Sequence, residues 1–102
     1  MIVVLSTYPD IRGARKAARD IVMKGLAACV SIVDVRESHY RWKGRLQKRP
    51  ECLLMIKTSK AAYPRLETFI RKTHPYKVPE IIWIDAKGGL KGYLAWVQTN
   101  SG

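Results

Sequence analysis

Cysteine is scarce in this chain, acidic residues are few, and no apolar stretch is long. The two cysteines, Cys29 and Cys52, stand in the apolar runs "LAACVSIV" and "ECLLMI" with no second cysteine at metal-clip or redox spacing, so both read as buried free thiols. No disulfide is needed. The first apolar stretch, "MIVVL", is far too short for a signal peptide or a membrane span, so the expectation is a cytoplasmic protein with no membrane partner. Repeats, low-complexity tracts and linkers are missing as well. With 102 residues, 47% of them hydrophobic, and only five prolines and seven glycines, the sequence reads as one globular domain, 1–102, with a single core.

Catalytic signatures are also missing. There is no Gly-rich phosphate loop, no metalloprotease histidine pair and no nucleophile elbow, and a Cys–His pair would need one of the thiols exposed near His39 or His74. The sequence therefore points to binding and not to an enzyme. Metal donors exist in His39, His74, the two thiols and eight carboxylates, but they form no dense local set. The shortage of acid has a counterpart: 19 Lys and Arg against eight Asp and Glu give a formal charge of +11, which suits either a well-solvated surface or a polyanionic partner.

What is present reads as a regular alternation of elements. "IVVLSTY" is a β-branched strand, ended by Pro9 and Asp10. Ile11, Ala14, Ala18, Ile21, Val22, Gly25 and Leu26 then recur at helical spacing, a narrow, alanine-rich stripe suited to lying close against a sheet. Residues 27–36 form a second strand whose apolar parity switches between Ile32 and Val33, the mark of a β-bulge. Beyond it "ESHYRWKGRLQKRP" reads as a long basic hairpin turning at Lys43 and Gly44, and Pro50 is expected to break the chain before the third core strand, "ECLLMIKT". A helix with Pro64 in its first turn, a strand "EIIWIDA" opened by Pro79, and a terminal helix complete the order. The result is an α+β, ferredoxin-like β-α-β-β-α-β sandwich with a C-terminal helix.

Two features of these strands bear on partners. "IVVL", "CLLMI" and "IIWI" are apolar at both parities, whereas a sheet with helices on one face should alternate. A second copy of the chain is the economical cover for the other face, with the hairpin aromatics Tyr40 and Trp42 as its anchors. RNA-recognition motifs share this element order but place aromatics on the first and third strands, and none occurs here, so nucleic acid is an unlikely partner. A weaker version, in which Arg36, Arg41, Lys43, Arg45, Lys48 and Arg49 neutralise a single strand, is outweighed by intersubunit packing.

"THPYKVPEII" places His74 before a proline, at the end of the second helix, where the negative dipole end accounts for an imidazole without further function. Tyr76 and Glu80 lie near it, and Lys57, ending the third core strand, is expected to face Glu80. Taken in order, "KGLAACVSIV", "SHYRWKGRL", "LLMIKTS", "THPYKVPEII" and "YLAWV" resemble the signature segments of the divalent-cation tolerance (CutA) family over nearly the whole chain. The resemblance implies a ferredoxin-like homotrimer, PII-like in architecture, whose hairpins knit three sheets together. It also implies a role in tolerance to copper and other divalent cations, with copper as the metal described for members. His74 stands where the family has a histidine implicated in metal binding. Ser6 and Thr73 stand where some bacterial members have a cysteine and a second histidine. A soft thiolate and a second imidazole are what would raise copper affinity, so weak divalent binding is expected. The alternative is a trimeric regulatory module that takes an anionic ligand in basic clefts between subunits, lined by Trp42, Lys57 and Tyr76.

Overall fold

A computed structural model describes all 102 residues. The chain runs β1 (Ile2–Tyr8), α1 (Ile11–Met23), β2 (Cys29–Trp42), β3 (Arg45–Thr58), α2 (Tyr63–Thr73), β4 (Ile82–Asp85) and α3 (Lys91–Thr99). The strands form one antiparallel sheet in the order β2-β3-β1-β4. This is the ferredoxin-like arrangement, with α3 added at the C-terminus.

Local chemistry sets the element ends. Asp10 caps α1, its carboxylate accepting the Gly13 N–H at 2.8 Å. At the other end Gly25, at φ 70°, lets its own N–H reach the Val22 carbonyl and that of Leu26 reach Ile21, both at 3.0 Å. That closure satisfies carbonyls the helix leaves open and turns Leu26 into the core. The inward face of α1 is Ala14, Ala17 and Ile21, while Ile11 and Val22, expected in the stripe, are exposed. The buried face is thus narrower than the apolar pattern, and the small side chains let the helix sit against the strands.

The hairpin differs from expectation in two ways. β2 and β3 are single 14-residue strands, so Pro50 does not break the chain. The irregularity lies between Val35 and Ser38, two residues beyond the expected switch. There three steps along β2 match two along β3, and the step between Glu51 and Arg49 passes through Pro50. A bulge leaves a ladder position unpaired, which is where a residue without an N–H does no harm. At the tip Lys43 and Gly44 both take positive φ, 51° and 75°, the geometry of a two-residue loop that matches strand twist.

β4 is also shorter than "EIIWIDA": pairing begins at Ile82, and Pro79 to Ile81 form the approach.

Alternation along the strands separates two faces. Ile2, Val4, Ser6 and Tyr8 of β1, with Cys52, Leu54, Ile56 and Thr58 of β3, are buried beneath the helices, where Ile21, Leu66 and Ile70 meet them. The intervening residues face away. By register, Val3, Leu5 and Thr7 lie beside Leu53, Met55 and Lys57, with Ile82 and Ile84 on one flank and Cys29, Ser31 and Val33 on the other. The core helices α1 and α2 pack on the opposite side of the sheet. Ile82, Ile84 and Val33 are each more than 40% exposed on this open face, and Cys29, expected to be buried, is only half-buried.

Candidate binding cleft at the base of the hairpin

The bulge re-aims the hairpin so that Ser38, Tyr40 and Trp42 share a face with their cross-strand partners Arg49, Gln47 and Arg45. The segment after α2 forms the opposite wall. Between them lies a cleft of about 710 Å³, whose lining includes Trp42, Arg49, Glu51, Tyr76, Lys77 and Glu80. Trp42 is 59% exposed along it.

His74 is the pivot of that wall. Its backbone N–H closes α2 on the Ile70 carbonyl at 2.8 Å, and its own extended conformation, ahead of Pro75, ends the helix. The ring is 8% exposed and sandwiched between Tyr8 and Tyr76, with centroids 4.2 Å and 4.9 Å away. Nε2–H donates to the Thr7 carbonyl at 2.8 Å, and Nδ1 accepts the Tyr76 N–H at 3.0 Å. These two bonds define a neutral ring with one tautomer and leave neither nitrogen lone pair free. Burial lowers the His74 pKa below its ordinary value, against the opposing pull of the Thr7 carbonyl and the Glu51 charge.

Tyr76 carries the connection across the cleft. Its hydroxyl donates to Glu51 Oε2 at 2.7 Å, and the Arg49 guanidinium lies against the same hydroxyl. Burial, then the bond to Glu51, raises the Tyr76 pKa. β1, β3 and the turn after α2 are thus joined through His74, Tyr76 and Glu51. Glu80 stands on the exposed rim with no ion pair or hydrogen bond of its own.

Of the residues expected to line the site, Trp42, Tyr76 and Glu80 come together, with Tyr40 beside them. Lys57 does not join them and does not face Glu80 within the chain. It lies on the open sheet face, where its Nζ donates to Ser31 Oγ at 2.5 Å and stands 4.0 Å from Cys29 Sγ. Glu51 was missed from the sequence, and Arg49 was read only as one of a basic set for a nucleic-acid strand, because Pro50 between them read as the end of a segment. Their i, i+2 spacing, continuing the parity of Leu53 and Met55, was the available signal.

No three His, Cys, Asp or Glu side chains gather as a metal-ligand set within the chain. His39, on the hairpin, stands 3.4 Å from Glu37, which Lys48 also approaches at 3.8 Å. Ser6 is fully buried under the helices with its hydroxyl unpartnered, and the Thr73 hydroxyl is tied to the Phe69 carbonyl at 2.8 Å.

The fold is ferredoxin-like with a cleft at the base of the hairpin, and comparison with known proteins narrows the class. The family model for CutA1 divalent ion tolerance protein matches residues 2–100, and the chain belongs to that family. It is 42% identical over 100 residues to the divalent-cation tolerance protein CutA of Thermus thermophilus, covering 98% of this chain and 97% of that one. The solved structure of the Thermus protein superposes with a TM-score of 0.95 over the full length of both chains. The PII-like protein CutA from Nostoc sp. PCC 7120, at 31% identity, gives 0.94 over 100% of this chain and 98% of that one. Mouse protein CutA is 42% identical over 92 residues, 90% of this chain, which spans about half (52%) of the mouse protein.

Proposed function

We propose that this chain confers divalent-cation tolerance by binding ions as a homotrimer in the cytoplasm, and not by catalysing a reaction. The observation that carries the assembly is the open sheet face, on which Val3, Leu5, Leu53 and Met55 are only partly buried and Ile82 and Ile84 are exposed. A patch of this kind on a chain with no spare helix fits association with further copies. Family membership supports the cation role, and copper is the metal proposed. His74 is the proposed ligand through Nδ1, which must first release the Tyr76 N–H. With Ser6 and Thr73 in place of softer donors, the remaining ligands come from water, Glu80 or a second copy, and affinity is low. Titration of Cu²⁺ into the protein and into His74→Ala tests this reading. A weaker variant supports His74 as a ligand, and equal affinity for both removes it.

A second reading has its own observation: Arg49 and Lys77 line the cleft of a chain whose net charge is +11. In this reading the cleft takes a small anionic ligand. Binding of inorganic polyphosphate that falls steeply with salt favours it, and no binding at low salt rejects it.

A further inference from the structure

The charges of α1 are placed against the stability of the helix that carries them. Arg12, Arg15, Lys16 and Arg19 stand three or four residues apart, so each meets a like charge on the helix surface. Inside the Asp10 cap the first turn holds Arg12 and no acid, and the last turn holds no basic residue, although the helix dipole favours the reverse at each end. In α2, by contrast, Arg71 and Lys72 occupy the last turn, where the dipole stabilises them. Little in the chain offsets the α1 charges. Asp20 reaches Lys16 alone, at 3.3 Å, the Asp10 carboxylate holds the Gly13 N–H, and Arg12, Arg15 and Arg19 make no ion pair or hydrogen bond.

Helical spacing gathers these cations. Arg12, Lys16, Arg19 and Met23 follow one another at four, three and four residues and form one stripe, opposite the Ala14, Ala17 and Ile21 that face the core. All four are exposed, Met23 to 80%. Arg15 flanks the stripe, and Ile11 and Val22, also exposed, border it on the same side.

This composition selects a partner. Guanidinium groups fork onto phosphate oxygens, so a row of this kind matches a phosphate-bearing polyanion. α1 carries no aromatic ring on which a nucleobase could stack, unlike the hairpin with its Tyr40 and Trp42. It does carry uncovered apolar side chains beside its arginines, and a phosphate-rich surface that also accepts apolar groups is the interface of an anionic bilayer. We propose that the outer stripe of α1 docks this protein on an anionic lipid surface, with Arg12, Lys16 and Arg19 on headgroup phosphates and Met23 entering the acyl boundary. The expectation of no membrane partner rested on the shortness of the apolar runs, which bears on spanning and not on a peripheral contact. The stripe lies on the side of the sheet away from the open face, so it depends neither on the proposed assembly nor on ion binding.

Vesicle co-sedimentation of the full chain tests this docking. Vesicles of equal parts phosphatidylcholine and phosphatidylserine should bind the protein, more weakly as salt rises, and phosphatidylcholine alone should not. Arg12→Gln with Arg19→Gln is expected to weaken binding about tenfold or more while preserving or raising the thermal midpoint, because like-charge repulsion is relieved. Met23→Ser should weaken binding severalfold with wild-type circular dichroism. Arg41→Gln with Arg45→Gln, on the hairpin, should leave it unchanged. Vesicle binding that the α1 pair leaves intact, or that the hairpin pair abolishes, overturns the docking surface, and so does a Met23→Ser protein that binds like the wild type. A protein that ignores vesicles but takes up inorganic polyphosphate or duplex DNA through the same arginines overturns the lipid partner.

Discussion

Leu53 and Leu54 are the same residue type in the same strand, yet they belong to different environments. Leu54 is fully buried beneath α1 and α2 among Val4, Ile56 and Ile70, whereas Leu53 looks outward beside Thr7 and Val33. The helix-covered face is finished by the chain itself. The opposite face is also rich in apolar side chains, with Thr7, Ser31 and Lys57 among them, and is not packed beneath α1 or α2. The apolar residues on it have little to do with the stability of one chain and much to do with what the chain meets. The cleft opens from that same side, so its Tyr76, Glu51 and Glu80 stand where the finished and unfinished regions join.

Substitutions can sharpen this contrast. The largest effect is expected from Leu54→Ala, which should cost about 3 kcal/mol in denaturant unfolding, since it leaves a cavity in a packed core. Leu53→Ala should cost well under half of that in the isolated chain, and equal losses at the two positions would erase the distinction. Next in size, Met55→Asp on the open face should leave the far-ultraviolet circular dichroism unchanged while dissociating the assembly. If the variant stays assembled, the open face is not the interface.

Burial keeps the His74 pKa below its ordinary value of 6.5, so the folded chain binds fewer protons there than the unfolded one. Its contribution is complete above pH 6.5 and is lost as the pH falls below that value and through the lowered folded one. Protonation also places a proton on Nδ1 against the Tyr76 N–H. Unfolding free energies measured down the acid limb should therefore fall, and His74→Gln should flatten that slope. An unchanged slope would show that other groups set it. The smallest effect is expected from Tyr76→Phe, about 1 kcal/mol for the lost bond to Glu51, read from thermal unfolding.

Much of this was legible from residue order. The apolar runs "IVVLSTY" and "CLLMIKT" marked both strands, their apolar character at both parities marked them as two-sided, and Pro75 marked the end of α2. The hairpin turn at Lys43 and Gly44 was legible because few residue pairs take positive φ together. What escaped was longer in range. The bulge was misplaced because Val33 and Val35 suggested a change of face, whereas the strand keeps its register to Val35 and exposes Val33 on the open side. The bonding of His74 could not be read, since its partners are a carbonyl 67 residues away and a backbone N–H. The position of Lys57 followed from strand pairing, and proximity in a motif list was no guide to it.

The central claim is that the open face is covered by copies of the same chain. Multi-angle light scattering of the purified protein at micromolar concentration tests it most directly. A single species at three times the 11.6 kDa chain mass is the expected result, and a monodisperse 11.6 kDa monomer would contradict it.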